Sequence, residues 1–263
     1  MIPEMMADLP AWKGFDPGTA GAAVAVVLAA AVLRGFAGFG FAIAAVPLLS
    51  LVMPPGEAVP LAVALQLCGG LTDLPRHGRR CHWPSLRWLI AGASIGSPAG
   101  VLALASFPAG VARLAISAVC ALAIAALALG FSLRAPPLGR TAALVGLTAG
   151  VFNGLAAMPG PPVVAYYMAS ALRPETVRAS LLVFFAATSA AAAASLLAAG
   201  LLEPGLVPLT LAGFPAMLAG TWLGERLFAG AAGRAHRTVS LVLLAAVAVA
   251  SGAKAILEIA GGP

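Results

Sequence analysis

The chain is a series of long apolar runs separated by short polar stretches. Runs of about 20 residues, the length of a membrane-spanning helix, occupy 57–74, 86–106, 110–133, 175–199, 206–228 and 238–259. Apolar positions in them are continuous and do not alternate with polar ones, which predicts helices and not the strands of a barrel. Two further apolar segments, 19–53 and 141–172, are long and interrupted by Gly and Pro. We therefore predict an all-α integral membrane protein with about eight transmembrane helices and two broken or re-entrant segments.

The order of these elements repeats. After an N-terminal tail at 1–18, residues 19–133 and 134–263 each begin with a broken segment, at 35–55 and 146–172, and continue with apolar runs. In both halves a Pro and a Glu start the helix after the break, in PPGEAVPLAVALQL and RPETVRASLLVFF. This is also ordinary helix-start chemistry, so the matching element order is the stronger indication of a repeat.

Arginines in the short loops predict how the two halves are oriented. The loop 76–87 holds four arginines, and 133–140 and 225–237 are basic as well, whereas 106–110 and 201–208 carry no basic residue. Basic loops face the cytoplasm, so the first broken segment is expected to enter and leave from outside and the second from the cytoplasm. The halves are then inverted repeats; parallel repeats would leave one basic loop outside.

Composition agrees with a membrane location and excludes several other functions. Of the 263 residues, 61% are hydrophobic and 9% charged, with a mean hydropathy of +1.01. The formal charge of +6 lies in loops and reports topology, so no nucleic-acid partner is expected. The N-terminus lacks the basic region of a cleaved signal peptide. No phosphate-binding GxxxxGK[ST], HExxH or GxSxG is present. We expect neither an enzyme nor a cofactor.

The broken segments carry the main functional prediction. GFAGFGFAIAAVPLLSLVMPP at 35–55 and MPGPP at 158–162 contain residues that weaken helices, by about 1 kcal/mol for each Gly and about 3 for an interior Pro. Unpaired backbone groups at membrane depth are tolerated only inside protein or beside water, and two such breaks in inverted halves are typical of a secondary transporter with a midplane site. Glycines can also serve close helix packing, but that does not account for MPGPP.

Candidate substrate-binding residues follow from these breaks. Half-helix N-termini present free N–H groups that suit an anion. Arg34 is the one cation in the first broken segment, although it could also snorkel to an interface. Asn153, beside the second break, and Gln66 are neutral donors, while Thr188 and Ser189 are weaker candidates because such hydroxyls often bond their own helix. The residues of the breaks themselves complete the predicted site: Gly38, Phe39, Gly40, Gly154, Met158, Pro159 and Gly160.

Other polar residues are given structural roles. Tyr166 and Tyr167 could close a site, but tyrosines near a helix end are usually interfacial anchors. His77, Cys81 and His82 share an arginine-rich loop that opposes a cation, so no metal site is predicted. No carboxylate lies deep in an apolar run; Asp73 and Glu225 fall at predicted helix ends, and the sequence does not indicate proton or sodium coupling.

The first broken segment contains VPLL followed by PP, and a second Gly/Pro-rich copy comes about 115 residues later. In these features the chain resembles the TauE/SafE family of membrane permeases. That resemblance implies a bacterial inner-membrane, multi-pass exporter of a small anion such as sulfite or an organosulfonate, with both breaks on the substrate path. The family usually has Gly-Gly pairs in the breaks; here Phe39, Gly40 and Phe41 stand in the first and Ala156, Ala157 and Met158 in the second, which leaves the substrate open.

We therefore expect a transporter that works by alternating access around Gly38–Gly40 and Asn153–Gly160. Its expected partners are a small anionic substrate and membrane lipid, and the sequence is compatible with a homodimer. An anion channel, or a permease for another small carboxylate or sulfur compound, remains an alternative. An intramembrane enzyme is disfavoured because paired carboxylates, an activated nucleophile and a metal set are all missing from the sequence.

Overall fold

A computed structural model describes residues 16–37, 41–78, 80–129, 138–168 and 170–227, and the single positions 253 and 256. In the five continuous segments the chain forms nine helices and no strand, as the sequence predicts. The helices are α1 (Pro17–Ala37), α2 (Phe41–Val52), α3 (Pro55–His77), α4 (Trp83–Ser106), α5 (Ala109–Leu129), α6 (Arg140–Ala156), α7 (Gly160–Met168), α8 (Pro174–Ala198) and α9 (Leu206–Leu227).

Several helices are suited to crossing a membrane. Pro17–Gly35, Trp83–Ser106, Pro174–Ala198 and Leu206–Leu227 are long and apolar enough to span a bilayer, and Phe41–Val52 and Ala109–Ala123 are shorter apolar helices. These helices expose large apolar side chains, for example Ile95 and Leu211, which are 71% and 69% exposed. The chain is therefore a helical, multi-pass membrane protein. Residues 1–15 of the predicted tail at 1–18 lie outside the described residues, as does the last predicted run, 238–259, apart from Ala253 and Ile256. The predicted number of eight spans therefore stays a prediction.

The two most extensive helix contacts join α4 to α6 and α1 to α9. Both are lined by glycines whose missing side chains let the backbones touch. A β-carbon on Gly96 of α4 would lie 2.1 Å from the Leu147 carbonyl oxygen of α6, and one on Gly35 of α1 would lie 2.1 Å from the Thr221 carbonyl oxygen of α9. Small residues are the usual means of close approach in lipid, where no hydrophobic force drives helices together.

On α4 and α6 these glycines recur at every fourth position, so they form one continuous stripe on each helix. They are Gly92, Gly96 and Gly100 on α4 and Gly146, Gly150 and Gly154 on α6. Successive glycines of α4 meet successively later residues of α6, so the two helices run in the same direction. The close-packing interpretation therefore applies to Gly150, Gly154 and Gly35 of the broken segments.

Helices α3 and α8 pack against each other at the centre. Both also contact α4 and α6, and α3 contacts α9 as well. Gly70 of α3 meets Ala186 of α8, and the loop after α3 bonds the beginning of α8, His82 N donating to Ser180 Oγ at 2.9 Å. The two helices therefore run antiparallel. This central pair positions the polar residues of the site.

The first broken segment differs from the prediction at Pro47. Helix α2 continues through this residue from Phe41 to Val52. A helical Pro cannot donate to the carbonyl four residues earlier, here Ile43. The Cys120 thiol of α5 lies 3.6 Å from the Ile43 oxygen and donates to it, which compensates the missing bond. Helix α1 likewise continues through Gly35 to Ala37, while Gly38, Phe39 and Gly40 lie outside the described residues.

Candidate functional site

The second broken segment is interrupted between Ala156 and Gly160. Ala157 adopts the left-handed conformation, with φ of 54°, and its amide donates to the Asn153 oxygen at 2.7 Å. The Met158 amide donates to the Phe152 oxygen at 3.2 Å, so the chain folds back on the last turn of α6. Left-handed geometry costs a residue with a β-carbon about 1–2 kcal/mol. The helix break predicted at MPGPP is therefore present, but it covers Ala157, Met158 and Pro159 only.

Gly160, Pro161 and Pro162 instead form the first turn of α7. Proline is tolerated there because the first N–H groups of a helix have no partner within it. The same prolines change the chemistry of the helix end. Among residues 159–162 only Gly160 carries an N–H, so this half-helix offers fewer bare amides to an anion than an ordinary helix N-terminus, and the predicted amide cradle stays a prediction.

Polar side chains of three helices occur at or near this break, and we call the set the polar cluster: Gln66 of α3, Asn153 of α6, Thr188 of α8 and Ser189, which follows Thr188 in the chain. Gln66 Nε2 donates to the Ala157 carbonyl at 3.0 Å, and Asn153 Nδ2 donates to the Thr188 carbonyl at 2.8 Å. Thr188 Oγ1 bonds back to the Phe184 oxygen at 3.0 Å. Three helices therefore meet at the interruption through side-chain amides.

Two oxygen-bearing groups of the polar cluster are buried without a bond. Asn153 and Ser189 are both fully buried, and Asn153 Oδ1 and Ser189 Oγ have no hydrogen-bond partner in the described part of the chain. Leaving a buried polar group unpaired costs about 1–3 kcal/mol, so such groups in a native site call for an explanation. They indicate that a further group belongs between α6 and α8.

The predicted residues of the break itself lie close to this cluster. Met158 and Pro159 are buried in the turn, and Gly160 faces the Phe185 ring, which a β-carbon would approach to 3.7 Å. Gly154 instead faces α4, where a β-carbon would lie 2.2 Å from the Ser97 oxygen. Gly154 is therefore a packing residue. It directly follows Asn153, whose side chain is of a type that can bind a ligand.

Arg34 lies in a separate cavity of about 170 Å³ between α1, α3 and α9. The cavity is lined by Arg34, Gly69, Thr72, Met217, Thr221 and Glu225, among others. Arg34 Nη1 lies 3.8 Å from Met217 Sδ and faces the surface left open by Gly69. Gly69 is one turn beyond Gln66 on α3, about 4.5 Å along the helix axis. Helix α3 therefore connects the arginine cavity to the polar cluster.

Three buried groups were not selected from the sequence. Arg113 is only 5% exposed and donates from Nε to the Ser50 oxygen at 2.8 Å, at the C-terminal end of α2 where a cation is favourable. Tyr167 is fully buried and shares a 3.0 Å hydrogen bond with Ser85 Oγ of α4, so it is not an interfacial anchor. Cys120 is the donor to Ile43 described above. Each has a partner more than 60 residues away, which residue type and spacing alone do not reveal.

The loop before α4 is held by α8. Cys81 Sγ lies 3.5 Å from the Ala179 oxygen, and His82 Nδ1 and Ser85 Oγ are 2.8 Å apart. Burial raises the pKa of the Cys81 thiol above its usual value, which keeps it protonated. Across the described ranges, no three His, Cys, Asp or Glu residues are placed to hold a metal ion.

Comparison with known proteins places this geometry in a family. No curated protein and no solved structure matches the chain. Residues 23–251, which include both broken segments, α3, α8 and the arginine cavity, match the family model described as Sulfite exporter TauE/SafE. The chain therefore belongs to the TauE/SafE family of membrane transporters.

Proposed function

We propose that the protein is a secondary transporter that exports a small anion, such as sulfite or an organosulfonate, across the bacterial inner membrane by alternating access. The observation that carries the proposal is the interruption at Ala157–Pro159, which is surrounded by amide and hydroxyl groups from three helices. Such a break needs partners or a cavity within the bilayer, and transporters use it as a substrate or ion site.

Helix packing supports a construction from two inverted repeats, 19–133 and 134–263. In this construction α1 corresponds to α6, α3 to α8 and α4 to α9. The two largest helix contacts, α1 with α9 and α6 with α4, are then equivalent contacts related by the repeat. The counterparts α3 and α8 run antiparallel, which is what inversion requires. Each half then completes the packing of the other.

The anion is proposed to bind on the side of the first break. Arg34 supplies a positive charge in a cavity of about 170 Å³, large enough for a small oxyanion. Helix α2 begins at Phe41 and has no Pro in its first turn, so the Phe41, Ala42 and Ile43 amides all carry hydrogens. An arginine and a helix N-terminus are each favourable for an anion, although the lining of the cavity includes no residue of α2. Gly38, Phe39 and Gly40 connect the two.

Two kinds of contact in this fold support the proposed alternating access. The glycine interfaces are backbone-to-backbone and cannot slide without collision, so α4 with α6 and α1 with α9 are expected to move as rigid pairs. Gln66 and Asn153 bridge between helices by single side-chain bonds, which can be exchanged at small cost. Motion is therefore proposed around α3 and α8.

The test is export of radiolabelled sulfite from proteoliposomes, with other small anions as competitors. Arg34→Gln keeps a polar side chain but removes the charge and is expected to reduce flux at least tenfold. Arg178→Gln, at an exposed position near the start of α8, is the matched control and should transport normally. Equal flux from both variants would refute the role of Arg34. Saturation and counterflow are expected of a transporter, and their absence would favour a channel.

A further inference from the structure

We propose that the second break binds a monovalent cation, with sodium as the natural occupant, through the Asn153 side-chain oxygen, the Ser189 hydroxyl and the terminal carbonyls of α6. As the coupling ion for anion export, this cation rests on the proposed function above. The site itself is inferred from the hydrogen-bond acceptors at the break, which outnumber the donors there.

The C-terminal end of α6 is rich in acceptors. The last four carbonyls of a helix lack partners within it. The turn after α6 returns its two amides to Asn153 and Phe152, and therefore not to Gly154, Leu155 or Ala156. In addition, a helix C-terminus carries about half a negative charge. The next residues can supply few of the missing donors, because Pro159, Pro161 and Pro162 have no N–H and only Gly160 among residues 159–162 has one.

Two side-chain oxygens add to these acceptors. Asn153 lies in the last turn of α6, and its Nδ2 bonds the Thr188 carbonyl, so the same amide group faces α8. Ser189 follows Thr188 directly. Asn153 Oδ1 and Ser189 Oγ are both fully buried and, among residues the structure describes, neither is bonded. Unpaired oxygens from two helices therefore accompany a helix end of negative potential, and this combination suits a cation.

The charge of the occupant follows from the absence of carboxylates. Residues 58–72, 140–168 and 176–202, which supply the polar cluster and the break, contain no Asp or Glu. Calcium and magnesium sites use carboxylates to balance a double charge, whereas unwound carbonyls and neutral side chains coordinate sodium in transporters. The same lack of a titratable group disfavours a proton as the bound ion.

Cation binding can be measured without transport. The full-length protein is purified in detergent, and its Tm is followed while NaCl replaces choline chloride at constant ionic strength, with LiCl and KCl in parallel. Because a ligand that binds only the folded state raises its stability, sodium should raise Tm saturably, and choline should not. Equal Tm values in sodium and choline would overturn the proposal.

Two serine variants of α8 make the test specific. Ser189→Ala removes one proposed ligand that is otherwise unbonded, so the protein should fold and the sodium concentration for half the Tm shift should rise about tenfold or more. Ser195→Ala is the matched control, since Ser195 Oγ already bonds the Ala191 oxygen at 2.8 Å. An unchanged half-saturation in Ser189→Ala would contradict coordination by this hydroxyl. Asn153→Ala should abolish the shift.

Anion flux separates this inference from the proposed function. Export that requires external or internal sodium supports both. Export at the same rate in sodium and in choline overturns the coupling ion but leaves the transporter intact. A sodium-dependent Tm shift without export of any tested anion supports the cation site and contradicts the proposed function.

Discussion

Replacing Gly96 with alanine is expected to separate α4 from α6 and destabilise the protein. The new β-carbon would lie 2.1 Å from the Leu147 oxygen and 3.0 Å from the Val151 nitrogen, all of it backbone. No side chain can rotate away, so one helix has to move. Ordinary contacts of a β-carbon begin near 3.4 Å, so the displacement needed is on the order of 1 Å over the most extensive helix contact in the fold.

Two opposing effects set the magnitude. Overpacking of a well-packed interface costs about 1–3 kcal/mol, and a collision with rigid backbone belongs at the upper end. Alanine in a helix is favoured over glycine by about 1 kcal/mol, which offsets part of that cost. We expect a net loss of about 2 kcal/mol, which lowers the ratio of folded to unfolded protein roughly 30-fold.

Gly21→Ala is the matched control because a β-carbon at Gly21 of α1 meets nothing within 4 Å. There only the helix propensity acts, and the protein should gain about 1 kcal/mol. In detergent, differential scanning fluorimetry should give a Tm about 4–8 °C lower for Gly96→Ala and about 2–4 °C higher for Gly21→Ala. If Gly96→Ala were as stable as Gly21→Ala, the close backbone contact of α4 with α6 would be refuted.

Two further substitutions test local features. Cys120→Ala should destabilise by about 1 kcal/mol because the Ile43 oxygen freed by Pro47 loses its donor, whereas Cys120→Ser, which keeps a hydroxyl donor, should not; equal Tm values for the two variants would contradict this bond. Ala157→Gly should raise stability by about 1 kcal/mol, since glycine adopts the left-handed conformation without strain. Ala157→Val, measured in the same scan, should lower it, and a stable valine variant would count against the strained turn.

The second break could be predicted from the sequence because its cause is local. Three prolines within four positions, Pro159, Pro161 and Pro162, remove more amide donors than a continuing α6 could replace. Asn153 and Gln66 could also be selected, since a polar side chain in an apolar run needs a partner within the protein. What the sequence could not show is that the Gln66 amide donates to the Ala157 carbonyl, a contact across 91 residues.

Glycine was harder to interpret because one residue type serves two purposes. In 146–172 the glycines fit either a helix break or close packing, and Gly146, Gly150 and Gly154 face α4. Their four-residue spacing, repeated at 92, 96 and 100, was the available signal for a packing stripe. Pro47 shows the opposite case: its helix continues, and Cys120, a residue 73 positions later, donates to the carbonyl that the proline leaves free.

The packing of α1 against α9, a helix far away in the sequence, has a consequence for biosynthesis. Of the described helices α1 is made first, but the helix that covers its glycine face, α9, begins about 170 residues after α1 ends. At about 5–20 residues per second, α1 waits roughly 10–30 s in the membrane before its neighbour exists. Assembly of this contact is therefore delayed until α9 has been made, and a chain truncated before α9 should be recognised by membrane proteases as an orphan.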